Sequence, residues 1–219
     1  MDVIFEDKDI LVINKPAGLS VQTARVGEKD LESECKKYLK AKGELPEIYL
    51  VHRLDQPVSG IMVLAKNNMA AGKLGKSIKD GDFSKDYKAR VLKEDGFVKE
   101  GTLEDYLVKD SKSNSSRIAK SARETGAVKA ELSYFTSDED EETAELTIAL
   151  KTGRHHQIRV QLSNAGMPIL GDRKYGNERS LEISADRKIK NVALRAYKLS
   201  FVHPVTGAWI CKVRVVPFR

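Results

Sequence analysis

Six consecutive apolar residues, Gly60 to Ala65 (GIMVLA), limit what this chain can fold into more than any other stretch. The run is short for a helix, rich in branched side chains and free of charge, so it reads as a strand buried on both faces rather than on one. Just before it, Tyr49 to Ser59 (YLVHRLDQPVS) turns polar, and its Gln56-Pro57 turn signal places Asp55 on a loop beside the strand. Loops held by rigid strands are where chemistry tends to sit, and a lone carboxylate there suits a nucleophile or a base. It equally suits a turn cap paired with Arg53, and the residues of this stretch leave both open.

Other segments extend the pattern. VIFEDKDILVINK (3–15) reads as two short strands around an acidic turn, ended by Lys15-Pro16-Ala17-Gly18, for which a simple turn is an adequate account. Leu31, Cys35, Tyr38 and Leu39 fall at helical spacing ahead of Gly43, and 68–80 reads as a second helix with Asn67 or Asn68 as cap and Gly81 beyond its end. In Ser84 to Val91 (SKDYKARV), Tyr87, Ala89 and Val91 alternate with charged residues, which turns Tyr87 toward the interior of a half-buried strand. Strands follow at 101–108, 128–136 and 143–151, with two more within 192–216 around HPVTG, and 155–165 reads as a helix. The Ser- and Lys-rich stretch 109–126 carries Lys109, Lys112, Arg117, Lys120 and Arg123 and predicts a mobile loop or irregular hairpin, either plain surface or a phosphate-binding segment. The acidic run SDEDEE (137–142) reads as an exposed loop, and the stretch 167–176 as a Pro- and Gly-punctuated loop. The expected class is α+β: a mixed, mostly antiparallel sheet with flanking helices around a central catalytic cleft. With no repeat, linker or composition step, 1–219 reads as a single domain, or as two subdomains flanking that cleft.

Composition bounds the partners. Lys and Arg total 38 against 32 Asp and Glu, a net charge of +6, and the clustering of acids leaves the remaining surface more basic than the total, which suits a polyanion. Cys35 and Cys211 are too few and too distant for a disulfide framework, fitting half-buried or core thiols in a reducing compartment. No apolar run approaches the ~18 residues of a membrane span, and no leader-like start is present, so a cytoplasmic protein is expected, with no membrane partner and a monomeric state. No HxH, CxxC or HExxH spacing occurs, which argues against a metal site formed from His52, His155, His156 and Asp55.

Three ordered motifs, HRLD (52–55), SKDYKARV (84–91) and KTGRHHQIRVQ (151–161) continuing as LSNAGMPILGDRKYG, resemble the RluA-type pseudouridine synthases. INKPAG (13–18) and LSFVHPVTG (199–207) match in kind and order, so the resemblance spans nearly the whole chain. It implies isomerisation of uridine to pseudouridine in ribosomal or transfer RNA: the N1–C1′ bond breaks, the uracil turns, and C5 rejoins the sugar. No net redox change or hydrolysis occurs, so no cofactor is implied. By resemblance Asp55 is the catalytic carboxylate, acting by attack at the sugar or by elimination through a glycal, which the sequence leaves open. Arg154 carries over as its bidentate partner, Tyr87 as the aromatic that stacks on the uracil and handles a proton, and Arg53 as the side chain that fills the gap left by the flipped nucleotide. Leu64 becomes an apolar pocket wall, and His156 an orienting group at the RNA-binding face.

The chain departs from the family wording at His155, where Thr is usual, and at Gln161 and Arg195, where His is usual. These departures bear on target choice. The separate N-terminal S4 RNA-binding domain of many relatives is not expected, since the core motifs begin within the first residues. A catalytically inactive RNA-binding or ribosome-assembly factor is the alternative, and retention of Asp55, Tyr87 and Arg154 together argues against it.

Overall fold

The structure is a computed structural model that describes residues 1–23, 27–214 and 218. In chain order its elements are β1 (Asp2–Glu6), β2 (Ile10–Lys15), α1 (Leu31–Ala41), β3 (Tyr49–Leu50), β4 (Ser59–Ala65), α2 (Asn68–Asp80), β5 (Phe83–Leu92), β6 (Glu100–Asp110), β7 (Ser115–Ile118), β8 (Val128–Glu139), β9 (Thr143–Leu150), α3 (Gln157–Asn164), α4 (Glu178–Asp186), β10 (Leu194–Val202) and β11 (Trp209–Val213). The fold is a sheet-dominated α+β class with four helices among the described residues. It divides into two compact units, 1–85 with 195–214, and 86–194.

In the first unit β4 is central. It pairs antiparallel with β2 from Ile10↔Ala65 to Lys15↔Gly60, and parallel with β10 at Ser59↔Arg195 and Gly60↔Ala196. Ile61 through Ala65 have no exposed surface, as their unbroken apolar run predicts. One face of the sheet packs Ile10, Val12, Ile61, Val63, Leu199 and Phe201 with Ala70 and Leu74 of α2. Both helices have readable ends. The Asp30 side chain accepts from Ser33 N at 2.8 Å to cap α1, while Asn67 caps α2 through Ala70 N at 2.9 Å, and Gly81 closes α2 in a left-handed conformation. Gly60 is demanded by close approach: its φ is +133°, and a Cβ there would lie 2.3 Å from the Ala196 carbonyl oxygen.

The second unit is an antiparallel succession β5-β9-β8-β6-β7. Leu107, Ala130 and Val160 form a small core there, covered by Ile118 and Tyr175. Of the two forms expected for 109–126, the structure has the hairpin, followed by turns, in which Arg117 pairs with Glu124 and Lys174 Nζ donates to the carbonyls of Ser113 and Asn114 at 3.0 and 2.9 Å. A fourth helix, α4, stands where no helix is expected, held by a capping box between Asn177 and Ser180. Cys35 is buried, but Cys211 lies exposed on β11 rather than half-buried. No described helix is long and apolar enough to cross a membrane.

Candidate active site

The turn that carries Asp55 is laced to the Lys15–Gly18 loop by backbone and side-chain bonds. The Asp55 carbonyl accepts from Val58 N at 3.1 Å, Gln56 O accepts from Gly18 N at 2.8 Å, and Gln56 Nε2 donates to Gly18 O at 3.1 Å. Lys15 completes the anchor: fully buried, its Nζ donates to the carbonyls of Pro16, Leu19 and Gln56 at 2.9, 2.7 and 3.1 Å. Burial pulls the Lys15 pKa down to about 8, opposed by attraction to the Asp55 carboxylate. The Pro-Gly loop is therefore more than a simple turn. It places a cation beneath the Asp55 turn, and Asp55 itself stays partly exposed.

The neighbours of Asp55 have distinct surroundings. Arg53 is exposed, Leu54 is buried, and His52 is enclosed and held neutral by burial, with the charge of Lys85 acting in the same direction. His52 Nε2 accepts from Val63 N at 3.2 Å, so the ring hydrogen sits on Nδ1. Leu64 has no exposed surface, so it supports the strand beneath the turn rather than presenting a wall that a base could touch. Arg195 Nε donates to Ser59 Oγ at 3.2 Å, tying β10 to the start of β4.

The second unit holds the remaining expected residues. Tyr87 is 5% exposed on β5 opposite Ile148, facing inward as its alternation requires. Arg154 lies exposed in the turn before α3, where its Nε donates to the Lys129 carbonyl at 2.8 Å. A bidentate guanidinium–carboxylate pair occurs at Arg159. This residue is buried, with Nε and Nη2 donating to the two carboxylate oxygens of Asp172 at 2.7 and 2.8 Å and its guanidinium 4.9 Å from the Tyr175 ring centroid. Sequence reasoning passed over Arg159, although an arginine on the apolar side of α3, beside Ile158 and Leu162, calls for a buried carboxylate.

His156 adopts a left-handed backbone (φ 53°) at the N-terminus of α3, hydrogen-bonds Tyr175 Oη through Nδ1 at 2.7 Å, and stacks on His155 with ring centroids 3.7 Å apart. The departures from family wording are also placed. His155 Nδ1 lies 2.9 Å from Ser116 Oγ and its Nε2 lies 3.2 Å from Asn114 Oδ1, so it fastens the β6–β7 hairpin to α3. Gln161 is fully buried and donates to Asp105 Oδ2 at 2.7 Å, a packing role rather than a surface one.

Asp7, Asp9 and His203 come close enough together to suggest a metal site. Their hydrogen bonds argue otherwise. His203 Nδ1 accepts from Val205 N and Thr206 N, so the hydrogen is on Nε2, which donates to Asp7 Oδ2 at 2.8 Å and is not available to a cation.

Residues 9–164 match the family model described as RNA pseudouridylate synthase. Among curated relatives, an uncharacterized RNA pseudouridine synthase of Bacillus subtilis is 31% identical over all of this chain and 68% of its own length. Ribosomal large subunit pseudouridine synthase D of Vibrio cholerae is 31% identical over 94% of this chain, which spans 64% of that relative. The dual-specificity RNA pseudouridine synthase RluA of Vibrio parahaemolyticus is 34% identical over 93% of this chain and 78% of its own. Among solved structures, human RNA pseudouridylate synthase domain containing 4 superposes with a TM-score of 0.75 at 26% identity, covering 99% of this chain and 88% of that one.

Proposed function

The chain belongs to the RNA pseudouridylate synthase family, isomerases acting on RNA, and from that premise we propose that it converts a uridine in a ribosomal or transfer RNA stem-loop to pseudouridine with Asp55 as the catalytic carboxylate. The observation that carries this reading is the anchoring of the Asp55 turn. Lys15, Gly18 and Gln56 fix its backbone from one side, and β4 begins at Ser59, two residues after Pro57, so a partly exposed carboxylate rests on a rigid base. Asp55 either attacks C1′ as the glycosidic bond breaks or removes the C2′ proton to form a glycal; both routes need an ionised, fixed carboxylate. The electron pair of the broken bond passes to the uracil, which turns and forms the C5–C1′ bond, displacing the Asp55 carboxylate from C1′ on the first route or adding to the glycal as Asp55 returns the proton to C2′ on the second, and the C5 proton is then lost.

Tyr87 is assigned to the uracil and to late proton transfer, and Arg53 to the gap left in the RNA by the extruded nucleotide. His156 orients Tyr175 and the start of α3. Arg154 is the cation that family resemblance assigns to Asp55. A second reading favours Arg159 for that role, because a guanidinium already desolvated and locked by Asp172 holds its aim better than the exposed one of Arg154. On this reading the protein works as a monomer and a single catalytic domain, without a cofactor.

The test is turnover and binding on ribosomal and transfer RNA stem-loops, reading pseudouridine by chemical tagging. Asp55→Asn should bring turnover to background and leave RNA affinity unchanged or slightly improved, since one negative charge is gone. Near-parental conversion by Asp55→Asn would end this assignment, and a parental protein that binds RNA but converts none would favour the binding-factor alternative.

A further inference from the structure

The first unit desolvates two lysines, Lys15 fully buried and Lys85 half-buried, and their surroundings differ. The Lys15 ammonium meets three carbonyl oxygens and the field of Asp55. Lys85, on β5, makes no hydrogen bond or ion pair with any described residue; its Nζ only faces the Phe83 ring, 5.8 Å from the centroid. Although the residue keeps some surface, protein packed around the ammonium desolvates it and pulls its pKa down to about 8. Beside it, the edge of His52 meets the same Phe83 ring at 5.3 Å between centroids, and the buried His52 Nδ1–H also lacks an acceptor. Two sets of donors around one phenylalanine thus have no oxygen to receive them. An ammonium held this way costs folding free energy, which a fold retains where a ligand anion supplies the missing partner.

Position narrows the anion. Residues two apart on a strand share a face, so Lys85 sits one step of about 6.6 Å from Tyr87 on the same side of β5. His52 stands three residues before Asp55. The cation is therefore bracketed in the chain by both segments assigned to the reaction. A compact ammonium with three donors suits a phosphate oxygen, a permanent charge, whereas uracil is neutral until its glycosidic bond breaks. We propose that Lys85 binds a backbone phosphate of the RNA strand that carries the target uridine. This rests on the RNA-substrate reading above.

The test measures affinity for a fluorescently labelled stem-loop by anisotropy across salt concentrations, in the Asp55→Asn protein with and without Lys85→Met and Lys85→Arg. Lys85→Met should weaken binding about tenfold or more at low salt and flatten the slope of log K against log salt by about 0.7 to 0.9, the share of one phosphate. Lys85→Arg should retain most of the affinity. The free Lys85→Met protein should melt at a higher temperature than its parent, because the unpaired ammonium is gone. Unchanged affinity and slope would overturn the proposal, and if turnover of Lys85→Met in the parental background fell at the same time, the lysine would instead serve the departing uracil. A lower melting temperature would also overturn it, by showing that the ammonium has a partner within the fold. All these readouts except turnover are independent of catalysis, so a parental protein without pseudouridine activity would refute the enzyme reading and leave the phosphate measurement intact.

Discussion

Lys15 and Lys85 show how one residue type carries opposite structural meanings depending on what its nitrogen touches. Both ammonium groups have pKa values lowered to about 8 by burial, against about 10.5 in an unfolded chain. Below pH 8 both states hold the proton, and the desolvation penalty on folding is present in full. Between pH 8 and about 10.5 the unfolded chain binds more protons than the folded one, so these two groups make stability rise with pH across that window. Replacing Lys85 by Met removes its share. The gain in melting temperature of Lys85→Met over the parent is therefore expected to be largest at pH 7 and to shrink toward pH 10, and a constant difference across melts at pH 7, 8.5 and 10 would refute the desolvated ammonium. Neither lysine was legible in the sequence as desolvated. Charge predicts exposure, and only the coordinates show the three carbonyls around one nitrogen and none around the other.

At the scale of elements, the strands and helices whose signals are local were legible. The GIMVLA run is β4, and Asn67 and Gly81 bracket α2 as caps should. What was missed or left open shares a cause. Helix α4 exposes most of its surface and buries only Ser180, Ile183 and Ser184, so it carries almost no apolar stripe to read. The β6–β7 hairpin is held by Glu124, Lys174 and His155, long-range partners that a Ser- and Lys-rich segment does not announce. The same limit applies to α3, where the motif GRHHQIR offers two arginines and resemblance alone picked the exposed one. Their environments separate them by measurement. Arg154→Ala removes one bond to the Lys129 carbonyl at the surface and should leave the melting temperature almost unchanged. Arg159→Met strands the buried Asp172 carboxylate, at a cost of about 3 to 5 kcal/mol. Arg159→Lys keeps the charge but loses the fork, so it should fold and still lose turnover if this arginine aims Asp55. Turnover lost in Arg154→Lys and kept in Arg159→Lys would return the role to Arg154.

Across the whole molecule, the net charge of +6 matters through its distribution. The acids of the 138–142 run were expected in an exposed loop, and cations gather on them: Arg90 reaches Asp138 and Asp140, Arg187 reaches Asp140 and Glu142, Arg179 reaches Glu142, and Lys93 and Lys99 reach Glu139. Four acidic side chains meet five cations in these pairs, and Glu141 supplies the fifth negative charge of the run, so the charges balance there and the excess of +6 belongs to the remaining residues. Asp140, held mainly by Arg187, has its carboxyl far below the usual range and stays ionised at any working pH, which keeps the cluster neutral. A polyanion bound by the remaining cations releases counterions, so affinity for RNA should fall steeply with salt. For a stem-loop, binding is expected to weaken at least tenfold between about 50 and 200 mM monovalent salt. A loop uridine is also cheaper to extrude than one stacked and paired within a continuous duplex, so turnover should be found on the stem-loop and be far lower when a complementary strand closes the loop into duplex. Equal affinity at both salt concentrations would remove the electrostatic basis for RNA recognition, and equal turnover on loop and duplex would show that the enzyme itself supplies the energy of extrusion.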